Sequence, residues 1–398
     1  MVEMHSFFAP CAKGVDRFLA DELRAMRIRG VRPQRSGVAF TGTVADAYRA
    51  LMWTRLASRV LMHVAQVDAS TDQSFYEGMK KVAWEEHLTP TSTIAVYTSG
   101  TNGALRNTKY TNVRAKDAIV DRMREKFGAR PSVDAEAPDV SINIVVWEGR
   151  AKVSIDLAGE PLHQRGYRQP GLQTVAPMKE TLAASILAAA GWADIAAAGG
   201  AFVDPMCGSG TLPIEAAMIA GDIAPGTKHR RWGFTRWKGH DAEAWERMVA
   251  EATSRREAGA ARIPQIVGSD IDARALDIAR KSVRRAELSD KIELFRADLM
   301  RWTPTDDLRA RLEATTAPGL IAINPPYGER LSGETDCQAD LCHAVGSFAR
   351  GFFPGWRIAI IHPKPDQVAS GLGLKPIAVH DLYNGPIAAP VSVFQIPS

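Results

Sequence analysis

FVDPMCGSGTLPIEAA, residues 202–217, is the stretch whose reading decides the fold. A short apolar run (Ala201, Phe202, Val203) ends in Asp204, and Pro205 leads into a glycine turn containing Cys207, Gly208 and Gly210. Thr211 then opens an apolar helix. Glycines let the backbone approach a ligand closely, and the free N–H groups of a helix start favour a carboxylate or phosphate. Strand, acid, glycine turn and helix start together suit a nucleotide-type cofactor, although a tight connection can use the same residues.

Outward from this stretch, the remainder alternates strand and helix, the pattern of a doubly wound parallel sheet in an α/β domain. Strands are expected at 202–204, 265–270, 292–296, 320–324 and 357–362, with two late ones near 376–382 and 391–396. Helices are expected at 211–220, 273–286 and 339–353, with another from Pro177 that carries Lys179 and Glu180 in its first turn. In such sheets ligands collect beyond the carboxyl ends of strands, where Asp204, Asp270, Asp298 and Asn324 are all predicted to lie. One interval breaks the rhythm. A dinucleotide-binding fold places its ribose acid about twenty residues after the glycines, whereas Asp270 follows Gly210 by sixty. The interval holds a basic and aromatic cluster and a helix at about 241–256, read as an insertion (about 221–264) placed to contact substrate.

The strand-end acids each have work to do if the cofactor is S-adenosylmethionine. Asp270, in GSDID beside Ile271, is placed to accept both ribose hydroxyls, and Asp298 to accept a hydrogen bond from the adenine amine. Gly208 and Gly210 let the methionine part pass close to the backbone, with Asp204 orienting its ammonium group. Each acid taken alone also reads as a strand-end or helix-capping carboxylate. A nicotinamide dinucleotide fits less well, because the turn is GSGT rather than GxGxxG. NPPY, residues 324–327, is the sharper signal. An exocyclic base amine is a poor nucleophile because its lone pair is delocalised into the ring. The Asn324 side-chain oxygen and the Pro325 carbonyl can accept its two hydrogens and aim the nitrogen at a methyl group, so catalysis rests on positioning and dipoles. Pro325 and Pro326 stiffen the loop, and Tyr327 offers a face on which a base can stack.

The N-terminal half carries no acid–base pair and no metal-ligand spacing, and reads as a binding module. Its first sixty residues look like small α+β structure, followed by a similar unit from about 61 to 160 and a Gly/Pro-rich crossing at 161–175. Two basic clusters point to an anionic polymer. The first, 105–130, includes Arg106, Lys109, Arg114 and Lys116. The second, 228–240, places Arg230, Arg231, Arg236 and Lys238 among Trp232 and Trp237 without an acid. Cations neutralise phosphates while aromatics stack bases, although a charge run is also what a solvated face looks like. Arg165 and Arg168 in the crossing could touch substrate or simply pack on both halves. The 398 residues carry a net charge of +4, are 45% apolar and 24% charged, and belong to an ordinary globular class. The longest apolar run, 183–190, is too short to span a bilayer. Four cysteines without a CxxC pair and an N-terminus without a signal pattern point to a cytoplasmic setting. No oligomeric state follows, and a monomer satisfies the sequence.

At these motifs the chain resembles the THUMP-domain class I RNA methyltransferases, in particular the bacterial enzymes that methylate a guanosine exocyclic amine in large-subunit ribosomal RNA. The resemblance runs through LMWTRLASR (51–59), RNTKYTNVRAKDAIVDRM (106–123), LHQRGYR (162–168), MKETLAA (178–184), DPMCGSGTLPIEAA, GSDIDARALDIAR (268–280) and NPPYGERL (324–331). It implies a ferredoxin-like region at 1–60, a THUMP RNA-binding domain at 61–160 and a Rossmann-like methyltransferase domain at 176–398. It also implies S-adenosylmethionine held by Asp204, Gly208, Gly210, Asp270 and Asp298, catalysis at Asn324 through Tyr327, and Lys179 and Glu180 beside the methionine end. Relatives of the same layout act on transfer RNA, so that substrate stays open. Such relatives often continue into a second methyltransferase domain, whose activity is expected to be absent from a chain that stops at Ser398.

Overall fold

The computed structural model describes residues 3–169, 177–301, 303–325 and 336–398. Its N-terminal half is one mixed sheet. The strands are β1 (His5–Pro10), β2 (Arg29–Gln34), β3 (Gly37–Gly42), β4 (Leu61–Asp68), β5 (Thr93–Ser99), β6 (Ser132–Val133), β7 (Val140–Trp147) and β8 (Arg150–Asp156), in spatial order β2-β3-β1-β4-β8-β7-β5-β6. Helices α1 (Asp16–Ala25), α2 (Val44–Trp53), α3 (Asp72–Lys81) and α4 (Thr108–Phe127) cover it. Their starts are chemically marked. Thr43 and Asp46 form a reciprocal capping box before α2, and Asn107 accepts from the Lys109 and Tyr110 N–H groups before α4. The sheet runs on across the break the sequence suggests near residue 60. β4 pairs with β8 along its length but meets β1 through only the pairs Phe7–Met62 and Phe8–Leu61.

The C-terminal half continues with α5 (Glu180–Ala189), α6 (Trp192–Ala197), β9 (Gly200–Asp204), α7 (Thr211–Ala220), α8 (Ala242–Gly259), β10 (Ile266–Asp270), α9 (Ala273–Ala286) and β11 (Ile292–Arg296). Then come α10 (Asp306–Glu313), β12 (Ala317–Ile323), α11 (Asp336–Phe352), β13 (Arg357–Ile361), α12 (Pro365–Leu372), β14 (Pro376–His380), the small pair β15 (Tyr383–Asn384) and β16 (Ile387–Ala388), and β17 (Val391–Gln395). The sheet order is β11-β10-β9-β12-β13-β17-β14, with β9 to β13 parallel and β17 antiparallel to both neighbours. The two-residue period of its strands sorts side chains to two faces. Phe202, Leu320 and Ala322 join the core under α5, α6 and α7, whereas Ala201, Val203, Ile321 and Ile323 join the core under α10, α11 and α12. This is a Rossmann-like layering, and the first of those cores is continuous with the core of the N-terminal half.

Helix α7, which follows the glycine turn, is buried from Thr211 to Met218 and ties the two halves together. Its one charge, Glu215, is fully buried, accepts from Tyr167 Oη at 3.1 Å and pairs with Arg165 at 3.6 Å. Its other end is capped from the N-terminal half, where Arg55 Nη2 donates to the carbonyls of Met218 (3.3 Å) and Ile223 (2.9 Å). A cation suits the negative end of a helix dipole. Glu22 of α1 in turn accepts from Thr54 Oγ1 at 2.6 Å and Arg55 N at 2.8 Å. Any group bound at the start of α7 is thus connected to α1 by a short chain of buried polar contacts.

Candidate active site

The spatial order of the second sheet reverses at β9. β10 and β11 lie on one side of it, β12 and β13 on the other. The carboxyl ends of β9 and β12 therefore flank the crevice in which open α/β sheets take ligands. Asp204 ends β9 and is 1% exposed, its Oδ1 accepting from Met206 N at 3.1 Å. Burial first, and the nearby Asp270 charge second, raise its carboxyl well above the ordinary range. A buried carboxyl without a cationic partner among the described residues is the arrangement a positively charged ligand would relieve.

The glycine turn is held from β10. Cys207 N donates to Ser269 O at 2.8 Å, Gly210 N to Cys207 O at 2.8 Å, and Gly208 N to Asp270 Oδ2 at 2.8 Å. Gly208 and Gly210 have φ of +52° and +80°, the left-handed region that glycine tolerates, and a Cβ added at Gly210 would lie 3.1 Å from the Ala279 Cβ. Asp270 also accepts from Asp272 N through Oδ1 at 2.9 Å. Each carboxylate oxygen keeps a second lone pair for a ligand hydroxyl. Burial pushes the Cys207 thiol well up, so it stays protonated, as a small lining residue does.

Beside the turn opens a cleft of about 330 Å³, at the lower end of the range for small-molecule sites. Pro205, Asp270, Ile271 and Asp298 line it together with Met206, Leu299, Met300 and Leu341. Asp298 Oδ1 accepts from Met300 N at 3.0 Å. Asp340 of α11 is a third carboxylate at this cleft, and acids set among apolar side chains suit a ligand with hydroxyls at one end and a flat ring at the other. The four apolar residues were missed in the sequence, where the only signal was that Met206, Leu299 and Met300 sit next to strand-end turns.

Asn324 follows the last residue of β12, and its Oδ1 is buried with no hydrogen-bond partner among the described residues. Pro325 beside it is buried. Pro326 and Tyr327 lie outside the described residues. An orphaned buried amide oxygen is costly, and an amine hydrogen donor would satisfy it. Glu180, at the start of α5, is buried with its Oε2 also without a partner among the described residues, and burial raises its carboxyl to about 7. Arg168 stands 3.2 Å from Glu180 Oε1 and donates to Thr211 Oγ1 at 2.8 Å and to Met178 O, which joins Glu180 to the first residue of α7. Lys179 is exposed at the head of the same helix.

Several residues expected to face RNA do something else. Arg165 is 3% exposed and donates to Leu162 O at 2.7 Å and Arg55 O at 2.6 Å beside Glu215, so it braces the two halves. Arg168 is engaged by Glu180 and Thr211 beside the glycine turn. Trp237 is 5% exposed, lies against the His87 ring and sets its Nε1 3.3 Å from His87 Nδ1. Trp232 is half-buried against Phe234, Trp245 and His229. Neither indole offers a free face on which to stack a base. Arg236 pairs with Asp139 at 2.9 Å, Lys238 donates to Glu85 O at 2.8 Å, and Arg231 donates to Glu136 O at 3.1 Å. Tyr48 of α2 binds His240 Nδ1 at 2.6 Å, and Arg49 pairs with Glu251 of α8 at 3.0 Å. The segment read as a substrate-facing insertion is thus largely a clamp on the N-terminal half. In the first cluster Arg114 pairs with Asp72 at 2.9 Å and lies over the Tyr76 ring, and Lys116 pairs with Asp117. Arg106, Lys109 and Arg230 remain exposed and outside any ion pair among the described residues. Among the described residues, no group of three or more His, Cys, Asp or Glu could hold a metal, and no helix is long and apolar enough to cross a membrane.

Comparisons with known proteins agree in kind with this layout. A family model described as the RMKL-like methyltransferase domain matches residues 165–389, the RlmL ferredoxin-like domain matches 6–61, and the THUMP domain matches 69–156. The "Ribosomal RNA large subunit methyltransferase K/L" of Syntrophotalea carbinolica is 43% identical over 390 residues, which cover 98% of this chain and 53% of that protein. Its counterpart in Allochromatium vinosum is 41% identical over 394 residues, covering 98% and 52%. The chain therefore spans about half the length of the curated relatives it matches. Among solved structures, SMU.472, crystallised with SAH, superposes with a TM-score of 0.85 at 28% identity, over 100% of this chain and 99% of that one.

Proposed function

The chain belongs to the RMKL-like methyltransferase family, and from that premise we propose that it transfers a methyl group from S-adenosylmethionine to the exocyclic amine of a guanosine in large-subunit ribosomal RNA. The observation that carries the reading is the buried Oδ1 of Asn324, without a hydrogen-bond partner among the described residues, at the switch point of the sheet and one strand from Asp204. Relatives about twice as long, matched along nearly all of this chain, are named as large-subunit ribosomal RNA methyltransferases, and the matched THUMP domain supports an RNA substrate.

When bound, S-adenosylmethionine supplies an electrophilic methyl group. Its fit is supported by the buried carboxyl of Asp204, which has no cationic partner among the described residues, and by a cleft that sets Asp270 and Asp298 among apolar side chains. Asp204 would take the ammonium group, with Glu180, and with Lys179 at the helix head, beside it. Asp270 would take the ribose hydroxyls, and Asp298 the adenine amine between Pro205, Ile271 and Met300. Cys207, Gly208, Gly210 and Thr211 would shape the floor near the methionine part. Asn324 Oδ1 and the Pro325 carbonyl would accept the two hydrogens of the target amine, fixing where its lone pair points. Pro326 and Tyr327 complete the motif, the tyrosine ring serving to stack the base. No side chain needs to remove a proton before transfer, because the product amine is cationic and loses its proton readily. Within the chain the proposed division is a ferredoxin-like region at 1–60, a THUMP domain at 61–160, a linker at 161–175 and the methyltransferase domain at 176–398, in a cytoplasmic protein.

Mass spectrometry of nucleosides from separated RNA pools tests the substrate. Deleting the gene should remove one N2-methylguanosine from large-subunit ribosomal RNA. Loss confined to transfer RNA would replace the substrate, and unchanged levels in both pools would remove the enzymatic reading.

A further inference from the structure

A run of unpaired positive charge among the described residues lies outside both basic clusters of the sequence. Between Arg24 and Ala45 there are five arginines, no lysine and no acid. Arg27, Arg29, Arg32 and Arg35 are all exposed, and none takes part in an ion pair among the described residues. Three of them ride on or directly after β2, the terminal strand of the eight-stranded sheet, whose outer edge is unpaired. Only Val31 of that strand is even half-buried, so β2 adds little to the core. Arg29 lies opposite Thr41 and Arg32 opposite Ala39 with a register shift between them, so the bulge draws these two closer along the edge than a regular strand would, and Arg35 follows in the turn.

At the Arg35 end the track opens into a groove of about 410 Å³, lined by Lys13, Gln34, Arg35 and Ser36, with Asp16 its one acid. Lys13 reaches across to Tyr383 Oη at 2.7 Å and over its ring, and Phe18 of α1 meets His380 of β14 edge to face. The groove therefore adjoins the methyltransferase half. By contrast, Arg114, Arg122, Arg231, Arg236 and Lys238 all have protein partners.

We propose that the β2 edge and the Lys13–Arg35 groove form a phosphate-binding track that guides the RNA substrate from the N-terminal half towards the methyltransferase half. The inference rests on the RNA-methylating reading above. Guanidinium groups present planar forks that match phosphate oxygens. Unpaired exposed arginines lose little desolvation energy on meeting phosphates and release counterions when they do. The competing explanation is that charge on an edge strand merely blocks pairing with another chain.

The test measures binding of the purified chain to a large-subunit ribosomal RNA transcript across a salt series. The triple variant Arg29→Gln, Arg32→Gln, Arg35→Gln should flatten the slope of log K against log salt by about 2, at 0.7 to 0.9 per phosphate contact. The Arg→Lys triple variant, which keeps the charge, should retain most of the slope. An unchanged slope in the glutamine variant overturns the track, and self-association of that variant at the same time assigns the arginines to edge protection. Methyl transfer by the wild type is scored on the same transcript. If it fails while the slope still depends on the arginines, the methylation reading falls and the binding surface stands.

Discussion

Replacing Asp204 by asparagine should strengthen the ligand-free protein and weaken its cofactor binding, two effects of opposite benefit from one atom change. The amide keeps an oxygen for Met206 N, so the local turn survives. What disappears is the buried carboxyl. Its folded-state value stands well above the ordinary range, chiefly through burial. A carboxyl raised in this way holds its proton in the folded chain after the unfolded chain has released it. Its contribution to stability is therefore complete below about pH 4, the unfolded value, and drains away as pH rises through the folded value. The D204N variant has no such loss, so its Tm should exceed that of the wild type at pH 8, with the gap narrowing as pH falls. Cofactor binding moves the other way. A hydrogen bond to a charged group contributes about 1.5–3 kcal/mol, so losing the one to the ammonium group should raise Kd roughly 10- to 150-fold. Thermal denaturation across pH and calorimetric titration with S-adenosylmethionine measure both sides. A variant less stable than the wild type at pH 8 and with unchanged Kd would refute the reasoning and return Asp204 to a purely structural cap.

Two further substitutions probe the site and the clamp. Asp270→Ala frees the N–H groups of Gly208 and Asp272 at once, so it should abolish measurable cofactor binding while leaving RNA affinity within about threefold, and an unaltered cofactor titration would overturn the ribose assignment. Trp237→Ala should cost about 3–5 kcal/mol in denaturant titration, as truncating a buried indole does, with no change in the salt slope of RNA binding; a slope change without destabilisation would restore its role as a base-stacking surface.

The α/β half was legible because its strands are short apolar runs that end in acids, and a parallel sheet buries both faces of such runs. The turn at Gly208 and Gly210 was legible for the same reason, since only glycine sits comfortably at those positive φ values. The basic and aromatic stretch at 228–240 misled because burial is not a local property. The partners of Trp237 and His240, namely His87 and Tyr48, lie 150 and 192 residues away in the chain. The same limit hid the bracing of α7 by Arg55, Arg165 and Tyr167, whose partners are fixed only once both halves pack. Strand β2 left no trace in the pattern, since a charged strand exposed on both faces has no apolar period to detect. Helix α3 was silent too, its buried residues being only Phe75 and Met79.

The central claim is that Asn324 places the target amine for methyl transfer. Its most direct test is single-turnover transfer of a labelled methyl group from S-adenosylmethionine to a large-subunit ribosomal RNA transcript by the wild type and by Asn324→Ala, with cofactor and RNA affinities measured alongside. Loss of a preorganised acceptor of this kind costs about 10²–10³ in rate. Asn324→Ala should therefore slow transfer by that factor with both affinities nearly unchanged, and transfer at the wild-type rate would remove Asn324 from catalysis.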